Sequence, residues 1–463
     1  KDPELEQATP MDLVTAIRAN DLEIFEAAHK ELERLLDVAS AGSSASQAER
    51  VYNSLAAALN DQPDINLVSV AVPGQYAAYL SERALDAGKH VFLFSNNVAL
   101  EDEVRLKQRA KKLGLLVMGP DCGTAWLSGV GLGFANRVRR GQIGLVGASG
   151  TGMQEIACLV HRLGLGISQG IGTGSADLSS EVGGIMTESG IELLAKDEQN
   201  QVIVLVAKHP AQAVADRLHE ILTAIDKPVV VRYLGQPPRE SAAGVTYTTD
   251  LDEAAGQAAA IVLNKKYQQP DPASGLDQDV LAMLGKGPKA VGRLIGLFGG
   301  GSLASEAAML LRGAGLEIEV PDHPLAIQGR VEGSAHLVID TGEDFYTVGK
   351  PHPMIDQTVR CRMISGVLED PQVSLLLFDL VLGDSAHLDP APELTETIKQ
   401  ARLKRGDHPL LVIASVSGTD LDPQDLNRQI RLLTSAGVHV QPSAARAAKL
   451  AAAVMTKGTG HVA

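Results

Sequence analysis

The chain is short of aromatic side chains, cysteine, positive charge and long apolar runs, and each shortage excludes something. Three cysteines (Cys122, Cys158, Cys361) form an odd, scattered set without CxxC spacing. A disulfide framework and a zinc site are therefore not expected, and a reducing cytoplasm is the expected compartment. No apolar run approaches the ~20 residues that span a bilayer, so no membrane association is expected. Lysine plus arginine is 41 against 56 aspartate plus glutamate, a net charge of −15. Without any basic run to offset it, such a surface repels phosphate backbones, and nucleic acid is not an expected partner. No secretory leader is expected at the start. The chain opens on Lys1, so its natural first residues are expected to be missing.

Fifteen aromatics stand against 46 glycines. That balance, with Ala/Val/Leu blocks, suits α/β layers with tight strand-to-helix turns. A 45% hydrophobic fraction over 463 residues excludes global disorder and allows two to four domains.

Residues 1–60 read as helical and polar, with Thr9-Pro10-Met11-Asp12 as a helix start and Ala39–Gln47 as a loop. Next come short apolar strands, Asn66–Val72, His90–Ser95 and Leu115–Gly119, with a charged helix over Leu100–Leu113. Strands with little polar alternation predict a parallel sheet covered on both faces. A second unit opens at Gly141 with strands Ile143–Val146, Ile167–Ile171, Val202–Ala207 and Val229–Tyr233. A Pro/Gly/Asp-rich linker occupies 268–290, and a third unit follows. IGLVGASGTGMQE from Ile143 matches IGLFGGGSLASE from Ile295. VIVLVAKHP from Val202 matches SLLLFDLVLGD from Ser374, and PVVVRYLG from Pro228 matches PLLVIASVSG from Pro409. Duplication or shared doubly wound landmarks explain these matches, and a flavodoxin-like fold is expected for both units.

Open α/β sheets bind ligands beyond the carboxyl ends of their strands. The turn Gly147–Gly152 leaves a strand and enters a helix, so Ser149, Gly150, Thr151 and Gly152 offer N–H groups and hydroxyls to an anion; the alternative is a turn used only for packing. Gly300, Gly301 and Ser302 repeat the pattern in the third unit. Neither turn is a Walker A motif or a dinucleotide fingerprint. Asp121, Cys122 and Gly123 follow a strand end, with Cys122 a nucleophile or, more simply, a structural thiol. Lys208 faces an anionic ligand or solvent. On the loop running from Asp340 to Asp356, His352 is braced by two prolines and becomes a candidate acid–base residue, with Asp356 to orient it and Lys350 nearby. A structural histidine is the alternative. No second histidine stands at metal-ligand spacing, so no metal is expected. Asp379 and Gly383-Asp384 read as an acidic strand end.

RALDAGKHVFLFSNN, LKQRAKKLGLLVMGPDCGT and GQIGLVGASGTGMQEIA resemble the α subunit of succinyl-CoA synthetase in order and spacing. HLVIDTGED and LVLGD resemble the CoA-ligase domain of its β subunit. The strings at Gly144–Gly152, Leu116–Thr124 and Glu343–Asp356 resemble the FdrA family, which fuses these modules. The resemblance runs from about Thr9 to about Val454. It implies an α/β fold with a Rossmann-like, N-terminally incomplete CoA-binding-like domain (1–140). Two flavodoxin-like CoA-ligase-type parallel-sheet domains follow, at 141–267 and 291–463. It also implies a subunit of an oxamate carbamoyltransferase acting with two other subunits in allantoin degradation, by phosphorolysis of oxalurate to oxamate and carbamoyl phosphate. Phosphate is then a substrate, no cofactor is required, and His352 protonates the leaving nitrogen. Two features depart from the synthetase. Its relay histidine sits in a GHAG-type turn, whereas Gln236–Thr246 contains no histidine, and no ATP-grasp domain is present. The alternatives are an acyl-CoA synthetase component binding CoA and an acyl phosphate, or a non-catalytic scaffold. Small anionic ligands and self-association are expected in either functional case.

Overall fold

Leu100–Leu113 shows local sequence deciding an element. Glu101, Asp102 and Glu103 fill its first turn and Lys111 and Lys112 its last, each sign at the dipole end that favours it. Gly114 closes it at φ 67°, the left-handed cap that glycine takes without strain. The computed structural model describes residues 19, 21–41, 50–268, 292–322, 335–405, 408 and 410–456, and this helix has the bounds read from the sequence.

The chain divides after Pro63 into two compact units. The first contains α1 (Leu22–Ala41) and α2 (Leu55–Asp61). Ser54 caps α2, its hydroxyl accepting from the Ala57 N–H at 3.2 Å. Helix α1 takes in Ala39–Ala41, three residues expected in a loop. The rest of that loop, the helix start at Thr9–Asp12 and linker residues 269–290 lie outside the described residues.

The second unit opens with β1 (Leu67–Val70), α3 (Gly74–Asp86), β2 (His90–Leu93), α4 (Leu100–Leu113) and β3 (Val117–Met118). The strands form a parallel sheet in the order β1-β2-β3, the Rossmann-like part. A hairpin follows, β4 (Thr124–Leu127) and β5 (Val130–Gly133), which the sequence reading missed. It joins the next sheet rather than this one, with Trp126 opposite Gly170 in antiparallel pairing. A Cβ on Gly170 would stand 2.5 Å from the Trp126 ring, so glycine there lets the indole lie over the strand. Strands β4 and β5, which precede the boundary read at 140, therefore extend the second sheet.

That second sheet contains β6 (Arg140–Ala148), α5 (Gly150–Arg162), β7 (Ile167–Gly172), α6 (Ile185–Lys196), β8 (Val202–Lys208), α7 (Gln212–Thr223), β9 (Val229–Leu234), β10 (Val245–Tyr247) and α8 (Leu251–Val262). The third contains β11 (Arg293–Phe298), α9 (Gly301–Gly313), β12 (Ile318–Glu319), β13 (His336–Asp340), α10 (Asp344–Thr347), α11 (Thr358–Glu369) and β14 (Val373–Val381). It ends with α12 (Ala391–Arg405), β15 (Leu411–Ser417), α13 (Leu426–Ser435), β16 (His439–Gln441) and α14 (Ala444–Thr456). The orders are β10-β9-β8-β6-β7-β4-β5 and β12-β13-β11-β14-β15-β16. Setting aside the hairpin and edge strand β12, each is the flavodoxin-like order, as expected. β9 and β14 are buried throughout, which explains their continuous apolar runs. No helix among the described residues is long and apolar enough to cross a membrane.

The two glutamates of the matched segments cap each other's domains. Glu155 on α5 accepts from Ala444 N–H at 2.6 Å, at the start of α14, and from the Ser417 hydroxyl. Glu306 on α9 accepts from Leu251 N–H at 2.8 Å, at the start of α8, and lies 3.6 Å from Arg232. Burial pushes both carboxyls up, Glu155 to about 7. In the unfolded chain Glu155 titrates near its ordinary 4.5. Between those values the native state binds the extra proton, so stability falls as pH rises from 4.5 to 7 and is flat above, a loss of about 3 kcal/mol. Glu155→Gln keeps an acceptor for Ala444 and a donor for Ser417 without the charge. Its melting temperature is expected to match wild type near pH 5 and exceed it at pH 8; equal temperatures at both would contradict the assignment.

Candidate functional site

All three parallel sheets end at one cleft of about 1130 Å³, lined by loops that follow β1, β2, β3, β6, β7, β8, β11 and β13. Carboxyl-end loops line it because every parallel strand feeds its helix from that edge.

Helix α5 presents its N-terminus to this cleft. Ser149 precedes it in extended conformation and makes no cap bond to its own helix. Its hydroxyl instead donates to the Ser302 hydroxyl at 2.7 Å. Ser302 lies in the first turn of α9, so the two glycine elbows face each other across the domain junction. The first-turn N–H groups of α5, from Gly150, Thr151 and Gly152, meet no protein acceptor among the described residues. Beside them stands Thr124, 1% exposed, whose hydroxyl has no partner. A Cβ on Gly150 would lie 3.5 Å from it. Gln154, one turn further along α5 and also lining the cleft, has an unpartnered buried Oε1.

The second elbow is different. Gly299 N–H and Gly300 N–H donate to the two oxygens of Asp379 at 2.7 and 2.8 Å. Asp379 is completely buried and pairs with Arg360 at 2.8 Å. The two elbows differ ahead of the helix, where the Gly299 and Gly300 N–H groups are satisfied from inside the protein; the first-turn N–H groups of Gly301 and Ser302 meet no protein acceptor among the described residues, and Gly299, Gly301 and Ser302 line the cleft.

Between the elbows lies Lys208, at the end of β8, turned into the cleft, whereas His209 is exposed. A Cβ on Gly301 would stand 2.0 Å from Asp340 Oδ2 and 2.7 Å from Lys208 Nζ, so the absent side chain makes room for both. Burial pushes Asp340 up to about 6, against the pull of Lys208 and of the Gly342 N–H at 2.9 Å. Burial also raises Asp121, with Ser175 and Lys208 opposing.

The expected sites at Asp121, Cys122, Gly123, Ser149, Gly150, Thr151, Lys208, Lys350 and His352 all line this cleft, Lys350 from an exposed position. Burial pushes the Cys122 thiol up to about 12, the direction a structural thiol takes. Two details are corrected. Asp356 does not orient His352; its carboxylate accepts from the Thr358 N–H at 2.7 Å, and Met354 N–H donates to His352 Nδ1 at 3.2 Å. Burial, with Arg360 nearby, pushes His352 down to about 4. It is therefore neutral at pH 7, with the proton on Nε2, and donates a hydrogen bond rather than acting as an acid. Thr124 and Gln154 were missed as site residues. Asp340, at the head of the expected polar loop, lines the cleft, and Asp379, read as part of an acidic strand end, is completely buried within β14.

Among the described residues no group of three or more His, Cys, Asp or Glu is placed to hold a metal. The CoA-ligase family model matches residues 297–454, the CoA binding domain 138–233, and the oxidoreductase-family NAD-binding Rossmann fold 12–118. The uncharacterized protein YahF of Escherichia coli (strain K12) is 39% identical, over 98% of this chain and 89% of its own. Subunit alpha 2 of the ADP-forming succinate–CoA ligase of Archaeoglobus fulgidus is 29% identical over 41% of this chain and 66% of its own. A dinucleotide-forming acetyl-coenzyme A synthetase 1 from Ca. Korarchaeum cryptofilum covers 90% of this chain and 88% of its own, at 16% identity and TM-score 0.38. These relatives correct the transferase expectation. Where an activity is named it is CoA ligation, and the carbamoyltransferase reading, with its two partner subunits, goes no further.

Proposed function

Because the chain belongs to the succinyl-CoA synthetase-like family that includes YahF, we propose that it is a CoA-ligase-type protein holding an oxyanion at the N-terminus of α5. The oxyanion is inorganic phosphate or the phosphoryl end of an acyl phosphate. CoA lies along the strand ends of the Rossmann-like sheet. CoA supplies a thiol that displaces phosphate from the acyl carbon: the C–S bond forms, the C–O bond breaks, and the thiol proton leaves with phosphate. The chain's own groups bind and orient. The three N–H groups of α5 and the Thr124 hydroxyl hold phosphoryl oxygens, Lys208 offsets their charge, and neutral His352 donates from Nε2.

One observation carries this reading: first-turn N–H groups without protein acceptors, beside an unpartnered buried hydroxyl and a lysine, in a single cleft. The chemistry stops at the acyl phosphate. Gln236–Thr246 has no histidine, and His352 spends its Nδ1 lone pair on Met354, which leaves Nε2 protonated and unable to accept a phosphoryl group. The named ligase relatives are subunits, and a partner that moves the phosphoryl group onward fits this chain equally. Calorimetry with inorganic phosphate, acetyl phosphate and CoA tests the proposal. Binding of CoA and of one oxyanion ligand is expected, and a chain that binds neither would defeat it.

A further inference from the structure

Helix α5 brings one more polar atom to the cleft, and that atom is an acceptor. Gln154 lies four residues after Gly150, on the same face of the helix, and long helical side chains lean toward the N-terminus. It is 1% exposed and lines the cleft. The orientation of its amide is fixed from the other side. The nitrogen donates to the Phe134 carbonyl, to Asn136 Oδ1 at 3.1 Å and to the Leu382 carbonyl at 3.5 Å. Three acceptors around one atom demand the NH2 end there. Oε1 is left with no partner among the described residues. An amide oxygen accepts and never donates, so only a donor satisfies it. The groups proposed to hold the oxyanion are all donors: the first-turn N–H groups, the Thr124 hydroxyl, Lys208 and His352. A ligand that meets every one of these groups has anionic oxygens toward the donors and a hydroxyl toward Gln154.

We propose that Gln154 is a specificity-determining residue whose Oε1 accepts the P–O–H proton of bound inorganic phosphate. The inference rests on the proposed oxyanion at α5 and selects between its two ligands. Hydrogen phosphate carries a P–O–H at neutral pH. An acyl phosphate does not, because one oxygen bridges to the acyl carbon and the others are ionised, and sulfate has no hydroxyl either. Each of these sets an anionic oxygen against the Gln154 oxygen and leaves a buried acceptor unpaired. In the proposed reaction the thiol proton leaves with phosphate. The P–O–H therefore arises as acyl phosphate becomes phosphate, and Gln154 favours the phosphate side.

The test is calorimetry of the full chain with phosphate, sulfate and acetyl phosphate at pH 7. Wild type is expected to bind phosphate at least about tenfold more tightly than sulfate, the cost of one unpaired buried acceptor. Acetyl phosphate is expected to bind more weakly than phosphate as well. Gln154→Met removes the acceptor at similar volume and is expected to bring phosphate and sulfate to about equal affinity. Gln154→Lys keeps donors toward Phe134, Asn136 and Leu382 but has no acceptor, and the same loss of preference is expected. Because that variant retains the donors, it separates the role of the oxygen from the packing role of the nitrogen and serves if the methionine variant does not fold. Equal affinities in wild type, or tighter sulfate, overturn the inference while the oxyanion at α5 stands. A wild-type preference for phosphate that persists in either folded variant also overturns it, since the acceptor would then be a carboxylate, Asp121 or Asp340. A chain that binds none of the three ends both this inference and the oxyanion reading.

Discussion

Lys208→Met is expected to weaken sulfate or phosphate binding about 30-fold. A charge-assisted hydrogen bond in a partly buried site contributes about 1.5–3 kcal/mol, or roughly 10- to 100-fold in affinity. Lys208 is the cation between the two elbows, close enough to Asp340 that one missing Cβ at Gly301 serves both. The same substitution has a second signature. Lys208 holds the Asp340 carboxyl down against its burial. Above about pH 6 wild-type Asp340 is ionised and repels the bound anion. Affinity is therefore expected to fall as pH rises through that value and to be greatest below it. Without the lysine, Asp340 holds its proton to higher pH, and the fall moves upward. Sulfate serves as the probe because it does not titrate in this range. Unchanged affinity and an unmoved inflection in Lys208→Met would remove Lys208 from the site.

Arg360→Met carries the larger penalty in stability. The guanidinium makes bonds to Asp379 and to Gln357 and is buried against β14. Removing one partner of a buried pair costs about 3–5 kcal/mol, or about 10 °C in the melting of a domain of this size. Arg360→Lys is not expected to rescue, because an ammonium cannot reproduce the fork that spans Asp379 and Gln357. Calorimetric melting at pH 8 checks both points. A shift under 2 °C at pH 8, against the estimate of about 10 °C, would show that the pair holds nothing together.

Much of this molecule was legible from local pattern. The bounds of α4 follow from its charges and from Gly114. The apolar runs of β8, β9 and β14 announce strands buried on both faces. The repeated strand–glycine–helix–glutamate segments correspond in space, and Glu155 and Glu306 cap each other's domains. Other features left no local trace. The β4–β5 hairpin is short, and its assignment to the second sheet depends on Trp126 finding Gly170. Asp356 stood four residues from His352 and looked like its partner, yet the backbone of Thr358 claims it.

Composition and short-range pattern alone determined an acidic α/β chain with parallel sheets and glycine elbows at strand ends. Those features depend on interactions within about a turn of helix or a strand's own alternation. Which turn carries an internal carboxylate was decided only by tertiary structure. Asp379 reaches Gly299 and Gly300 from 80 and 79 residues away, and Ser149 meets Ser302 across 153. The two turns look alike as strings, and the difference between them is made by a buried carboxylate whose desolvation is compensated only where Arg360 and two backbone N–H groups converge.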